Sequence, residues 1–442
     1  MTPRYLAVKA LVRQEQDGYA NLVLDAELSR CRPSLESRDA AFAARIFYTV
    51  LERRNLLDWT LDRFLKKPVR KLDAPVRAIL RAGLAQASYM EVPLPAAVNE
   101  SVKLARAFGK TSAAGMVNAV LRRAAACKPT PEDFPELSRR LQTYYSLSAP
   151  VAELLMQQYG EEAEAMAAAF YLPAPTWVRV NTLKTDAAAL TESLTKEGCT
   201  VEPGPWPRCL RVQFPGSPAA TSAFRQGWFH VQGLASQFAA DSVQAAPGMR
   251  VLDLCAAPGG KSLTMAQAMG DRGELFSGEA VASRVPLLEK AFARCGVSCA
   301  HPYQGDASRL NEAFLKTPFD RVLCDVPCSG LGVIGKKPDI RYKDLAGLDA
   351  LCSLQKKILQ NGSKYLAETG RLVYSTCTVN QNENEDVVRA FLADHPEFAV
   401  VVPQNPPAQA RVTPYGTLFL PGKAGFDGFF VAVLERKPEK FS

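Results

Sequence analysis

The chain has 442 residues, of which 47% are hydrophobic and 22% charged. That profile excludes a disordered or low-complexity protein, and the length is too great for one ordinary domain. Fifty-three Lys and Arg stand against 45 Asp and Glu, and the net charge of +8 is compatible with a polyanionic partner or with a merely solvated basic surface.

Residues 1–127 read as helices. Ser37 is placed to cap one running through Ala43, Phe47, Val50 and Leu51 to Leu57, and a later one holds Val76, Ile79, Leu80 and Leu84. Pro93 and Pro95 interrupt. Ala97, Val98, Val102 and Ala105 then share a face, and Met116, Val117, Val120 and Leu121 form another. With no competing strand pattern, an all-α bundle is expected. Ala97-Val98-Asn99-Glu100-Ser101-Val102 and Val117-Asn118-Ala119-Val120-Leu121-Arg122-Arg123 resemble the RNA-binding helical domain of the NusB antitermination family. The resemblance implies RNA contact; without it, the plainer reading is a bundle whose basic faces serve packing and solubility.

Three prolines in Lys128–Pro135 predict a linker over 128–136. Helices resume near Leu137–Tyr145 and Val151–Tyr159. Strand-like segments at Thr176–Asn181, Leu210–Phe214 and Gly227–Val231 complete a small α+β unit over 137–242. Trp177 and Val178 read as core.

Over 243–438 strands alternate with helices, the pattern of an α/β doubly wound, Rossmann-like sheet. Strands are expected at Val251–Leu254, Glu274–Gly278, Val297–Tyr303, Phe319–Asp325 and Gly370–Thr376, with Phe398–Val402 and Gly428–Leu434 as a closing pair. A helical period through Leu345, Leu348, Leu351, Leu354, Ile358 and Leu359 separates the fourth and fifth strands. Strand–helix–strand at this length makes those two strands parallel, so Cys328 and Cys377, each just past a strand's carboxyl end, are expected to face one crevice. Two thiols at one site suit chemistry in which one attacks and the other helps release.

The turn Asp253-Leu254-Cys255-Ala256-Ala257-Pro258-Gly259-Gly260-Lys261-Ser262 joins the first of these strands to a helix, and its glycines allow a ligand to approach the backbone. A P-loop fits poorly, because Cys255 stands where the pattern needs glycine and Pro258 lacks an N–H. Arg321–Asp325 nevertheless resembles an NTPase acidic strand, so that rival stays open. A dinucleotide fingerprint is present only in fragments. An S-adenosylmethionine turn fits better: Glu279 ends the second strand, placed for ribose hydroxyls, and Asp306 follows the third, on the adenine side.

Eleven cysteines without a spacing framework, and a start (Met1-Thr2-Pro3-Arg4-Tyr5) lacking a signal-peptide core, point to free thiols in the cytoplasm. No apolar run reaches the roughly 18 residues of a membrane span. Cys295-x3-Cys299-x-His301 lacks a fourth zinc ligand, so no metal is expected. Cys255, Cys324 and Cys352 read as small apolar packing residues. His230, His301 and His395 are the only histidines, which makes His-based catalysis a weak reading.

Cys255–Lys261, Asp325-Val326-Pro327-Cys328-Ser329-Gly330 and Ser375-Thr376-Cys377-Thr378 resemble the motifs of RNA cytosine-C5 methyltransferases, over about residues 140–435. Pro338-Asp339-Ile340-Arg341 and Asn380-Gln381-Asn382-Glu383-Asn384-Glu385 fit the same family. With the NusB-like segment in front, the chain resembles the bacterial enzymes of that family acting on 16S rRNA. Glu279 departs from the family's commoner Asp, but a longer carboxylate still reaches a ribose diol.

The resemblance implies S-adenosyl-L-methionine held by Cys255, Ala256, Ala257, Pro258, Gly259, Gly260, Lys261, Glu279, Asp306 and Asp325. It implies Cys377 as nucleophile, Cys328 as the group assisting release, and Asp325 on the cytosine. DNA cytosine methyltransferases attack with the Pro-Cys cysteine, so the reverse assignment of the two thiols stays open. Trp177–Lys184 matches a family segment near the RNA path, which makes Arg179, Asn181 and Lys184 candidate RNA contacts. The expected partner is 16S rRNA, bare or in an assembling small subunit, with tRNA as runner-up and a monomeric protein. A non-catalytic RNA-binding factor is the alternative of another class. A free thiol, with a pKa of about 8.5, would gain only about 2 kcal/mol from full ionisation at neutral pH. Positioning must therefore carry more of the catalysis than thiol acidity.

Overall fold

The computed structural model describes residues 2–16, 20–31, 36–403, 406–422 and 425–438. The chain forms two compact units: Met1–Tyr171 with Ile334–Leu345, and Leu172–Val333 with Ala346–Ser442.

The first unit is helical, with helices that include Pro3–Gln14, Ser37–Glu52, Arg54–Asp62, Ala74–Tyr89, Leu94–Ala107 and Ala114–Ala124. Their apolar stripes meet in a core containing Leu6, Ile46, Phe47, Ile79, Leu80, Val98, Val117 and Leu121. Gly83 lets three helices close together: a Cβ there would stand 2.5 Å from Ser101 Oγ and 2.7 Å from Leu121 Cδ1. The helix expected from Ser37 to Leu57 is two helices. Arg53 leaves helical geometry (φ −123°, ψ 20°), and the bend lets Leu51, Leu56 and Leu57 all be buried. Glu36, not Ser37, occupies the N-cap position. Pro93 and Pro95 do not break a helix; they flank the start of Leu94–Ala107, where a missing N–H costs nothing.

The proline-rich 128–136 segment lies inside the first unit, as does 137–171, expected in the α+β unit. The physical reason is a set of ties to the bundle. Trp59 packs edge-on against Phe134, Asn55 donates to the carbonyls of Gln142 and Leu147, and Tyr171 donates to the Glu52 carbonyl. The excursion Ile334–Leu345 completes this unit. Arg341 is fully buried, donating to the carbonyls of Tyr145 (3.0 Å) and Phe170 (3.3 Å), with its guanidinium 4.3 Å from the Tyr171 ring centre. Leu345 has φ +60° and stands outside the helix expected to contain it, which runs Leu348–Lys364.

The second unit holds two sheets. In the smaller, β1 (Trp177–Val180), β2 (Thr200–Pro203), β3 (Cys209–Gln213) and β4 (Phe229–Val231) are antiparallel in the order β2-β3-β1-β4. β2 escapes a sequence reading because its alternation is nearly all exposed. The larger sheet holds β5 (Arg250–Asp253), β6 (Glu274–Glu279), β7 (Ala300–Gln304), β8 (Phe319–Asp325), β9 (Leu366–Thr376), β10 (Phe398–Val400), β11 (Arg411–Thr413), β12 (Gly416–Phe419) and β13 (Phe429–Arg436). Its order is β11-β12-β13-β9-β8-β5-β6-β7, with β10 also on β13. β5 to β9 run parallel, whereas β13 lies antiparallel to β9. The β11–β12 hairpin was not expected. Among the described residues, no helix is long and apolar enough to cross a membrane.

Candidate active site

The carboxyl ends of β5, β6, β7, β8 and β9 lie side by side because the parallel registers continue into the following turns. Ala256 N–H donates to the Gly278 carbonyl, Gly305 N–H to that of Glu279, and Val326 N–H to that of Ser375. This is the rim at which such sheets hold ligands.

Cys328, three residues past β8, and Cys377, one past β9, meet there with their sulfurs 3.3 Å apart. Gly332 N–H donates to the Cys377 carbonyl and thereby folds the loop after Cys328 back over its neighbour. The Cys328 thiol is pushed well up by its hydrogen bond with the Cys377 sulfur, by burial and by the nearby charge of Glu383. Either sulfur can donate in the hydrogen bond between them.

Asp325, the last residue of β8, sits between the two cysteines' strands and the glycine turn. Its Oδ2 accepts from Lys261 Nζ at 2.6 Å and its Oδ1 from Ser375 Oγ at 2.7 Å. Lys261 also lies 5.2 Å from the centre of the Phe429 ring. A carboxylate fixed at both oxygens, on the rim that also carries the two thiols, can hold a polar base edge.

In the turn after β5 the close approach is made by the chain itself, at Gly259. Gly259 adopts φ +104° at the start of the helix Gly260–Ala268, with Leu288 Cδ2 only 3.2 Å from where a Cβ would stand. Beneath it Asp253 is fully buried, accepting from Ser262 Oγ at 2.7 Å, while its other oxygen has no protein donor. Burial raises this carboxyl to about 7. Glu279 is nearly buried; Val281 N–H donates to one oxygen and Arg284 lies 3.3 Å from the other. Asp306 lines a cavity of about 290 Å³ with Leu254, Tyr303, Gly305 and Leu310. A glycine turn with little side chain, a carboxylate at the next strand end and a partly apolar cavity beyond it fit the methionine, ribose and adenine portions of S-adenosylmethionine in turn.

The other candidates separate. Arg179 is 3% exposed, and its guanidinium makes two 2.7 Å bonds to Asp241. Asn181 is fully buried and donates to the carbonyls of Gly227 and Cys295. Lys184 is exposed, but its ammonium donates to the carbonyls of Gln226 and Arg294. The polar groups of these three candidate RNA contacts hold this unit's own loops, with Arg179 and Asn181 buried and Lys184 exposed. Cys295 and Cys299 are buried, and among the described residues no three His, Cys, Asp or Glu side chains gather as metal ligands. A sequence reading misses the pairing of Lys261 with Asp325 and the buried network around Glu383. The run Asn380–Glu385 was the available signal for the latter.

Five parallel strands of a mixed sheet, with a glycine turn at one strand end and paired thiols past two others, define the class: a Rossmann-like methyltransferase domain, here in a chain that also has a helical domain. Comparison with known proteins agrees. The 16S rRNA methyltransferase RsmB/F model matches residues 242–435, the NusB family 1–126, and the RsmF/B-like ferredoxin-like domain 151–217. The chain is 33% identical to the probable ribosomal RNA small subunit methyltransferase B of Bacillus subtilis, with 98% of each chain covered. It is 32% identical to the ribosomal RNA small subunit methyltransferase B of Xanthomonas campestris, covering 93% of this chain and 92% of that one. Among solved structures, PH0851 shares the fold (TM-score 0.82, 24% identity, 99% of each chain). A methyltransferase homolog protein from Pyrococcus horikoshii matches at TM-score 0.59 and 26% identity, over 70% of this chain and all of that one. The chain belongs to the ribosomal RNA small subunit methyltransferase B (RsmB/F) family.

Proposed function

We propose that this protein transfers a methyl group from S-adenosyl-L-methionine to C5 of a cytosine in 16S rRNA, in the cytoplasm, through a covalent bond between Cys377 and the base. The observation that carries the reading is the 3.3 Å approach of the Cys328 and Cys377 sulfurs at the rim that also holds the glycine turn. S-adenosylmethionine supplies an electrophilic methyl on a sulfonium centre. Cys255–Lys261, Glu279 and Asp306 would hold it, with Asp325 between it and the base.

Cytosine C5 is too weak a nucleophile to take that methyl unaided. The pair reacts with one proton between its sulfurs: Cys377 adds to C6 as thiolate while Cys328 keeps that proton, and the S–C6 bond forms as the C5=C6 pair spreads over C5 and N3. Asp325, oriented by Lys261 and Ser375, holds the N3 and amino edge through a shared proton. C5 then takes the methyl. Cys328 still carries the proton that the two sulfurs had shared. Cys328 releases that proton to water and accepts the one on C5. The freed pair restores C5=C6 and expels Cys377 as thiolate.

The target base must leave its stack, at a cost of a few kcal/mol. Phosphate contacts by the basic helical domain would contribute to offsetting that, and RNA affinity should then fall steeply with salt. The test is methyl transfer to full-length 16S rRNA and to small subunits, with the modified position read by bisulfite sequencing. Cys377→Ala should abolish transfer, and Cys328→Ala should leave a protein–RNA adduct that survives denaturation. Full activity of Cys377→Ala, with no adduct from Cys328→Ala, overturns the roles given to the thiols.

A further inference from the structure

Glu383 lies in a short turn (Gln381–Glu383) soon after β9, and no part of it reaches solvent. Among the described residues no Lys, Arg or His stands within ion-pair distance of it. A carboxylate without a counter-charge is costly to bury unless donors surround it. Four do. Oε1 accepts from Ser329 N–H at 2.7 Å and Gln355 Nε2 at 2.9 Å, and Oε2 accepts from Ser329 Oγ at 2.5 Å and Asn380 Nδ2 at 3.0 Å.

The identity of those donors gives the arrangement its meaning. Ser329 follows Cys328 directly, and its Oγ lies 2.8 Å from Oγ1 of Thr378, which follows Cys377 directly. Gln355 Nε2 also donates to the carbonyl of Pro327, which precedes Cys328. The backbone carbonyl of Glu383 in turn accepts from Tyr374 of β9 at 2.6 Å. One carboxylate therefore grips the Cys328 loop at the next residue, and reaches the Cys377 loop through Ser329.

We propose that Glu383 is a positioning residue, tying the loop of Cys328 to the loop of Cys377 and so setting the separation of the two sulfurs. The proposal rests on the two-thiol reaction above for its purpose, but not for its geometry. Only an ionised carboxylate accepts from all four donors. An amide at this position would point its own N–H groups at one pair of them.

Two readouts on the full-length chain separate positioning from folding and from the proposed reaction. The first is capture of phenylarsine oxide, which loses its oxygen as water when two thiols bind the arsenic and therefore demands neighbouring sulfurs. Mass spectrometry reports whether the Cys328 and Cys377 peptides carry it jointly. The second is kcat against KM on 16S rRNA, with S-adenosylmethionine binding followed by calorimetry. Glu383→Gln should lose the joint arsenical capture and lower kcat about 10- to 100-fold, the scale on which an ångström of misplacement costs rate. KM and S-adenosylmethionine affinity should stay within about threefold, because neither site touches Glu383. Ser329→Ala, which removes the hydroxyl that joins Glu383 Oε2 to Thr378 but keeps the Ser329 N–H bond to Oε1, should show a smaller loss of the same kind and decides the matter if Glu383→Gln does not fold. Wild-type arsenical capture and kcat in the folded variant overturn the proposal, even if its melting temperature falls. Absence of any cytosine methylation by the wild-type protein would instead remove the reaction and leave the capture experiment to judge the clamp.

Discussion

Lys261 and Asp325, 64 residues apart, form an ion pair of 2.6 Å that joins the glycine turn after β5 to the end of β8. The pair couples the proposed cofactor side of the crevice to the side that carries the thiols. Asp325→Asn keeps the shape but removes the charge that Lys261 and Ser375 orient. We expect kcat to fall at least about 100-fold, the scale for losing one preorganised polar group at a reacting centre. S-adenosylmethionine binding, followed by calorimetry, should persist.

Asp253 titrates near 7 in the folded chain because burial disfavours its charge, against an ordinary value of 3.8. The native state then holds a proton that the unfolded chain has already lost. The contribution is favourable below the unfolded value and is lost as pH rises toward the folded one, with little further change above it. Asp253→Asn cannot ionise and escapes this loss. Between pH 6 and pH 8 its stability relative to wild type should improve by about 1 kcal/mol. Urea unfolding without cofactor at both values checks this; an unchanged or opposite difference would refute it.

Arg341 is buried under the two carbonyls it bonds and the Tyr171 ring it faces. Arg341→Ala leaves both acceptors unpaired, so the first unit should lose about 3 kcal/mol. A urea titration followed by tryptophan fluorescence would report that loss through Trp59, which lies in the same unit.

Arg179 and Asp241 are bonded at both guanidinium ends, though the Asp241 side chain is 41% exposed and water weakens the pair. Arg179→Ala should cost about 2 kcal/mol of stability. The folded fraction should keep its affinity for 16S rRNA within about threefold, since the lost group faces the protein. A drop in affinity with a change in salt dependence would restore Arg179 as an RNA contact.

Much of the second unit was legible because its signals are local. Short apolar runs bounded by turn residues mark β5, β6, β8, β9 and β13, and the strand–helix–strand length brings Cys328 beside Cys377. The weakly patterned β2 and the hairpin of β11 and β12 were not legible. The exposed residues of β2 and β11 leave no hydrophobic alternation to read, and β12, though buried, is only four residues long and opens on glycine. The excursion Ile334–Leu345 was missed for a different reason. The helical period after it runs back through Leu345 in the sequence, while the φ of +60° at that residue turns the chain away.

The order of residues along the chain was enough to determine the sheet class, the glycine turn and the convergence of two thiols. Each follows from periodicity, turn chemistry and the handed geometry of parallel strands, which neighbouring residues encode. Where a polar side chain ends was settled by packing alone. Arg179 finds Asp241, Lys261 finds Asp325, and Glu383 finds Ser329 across 62, 64 and 54 residues. A charged group that reads as free in one dimension is satisfied in three, because a buried donor or acceptor must be paired by whatever the fold brings within about 3 Å.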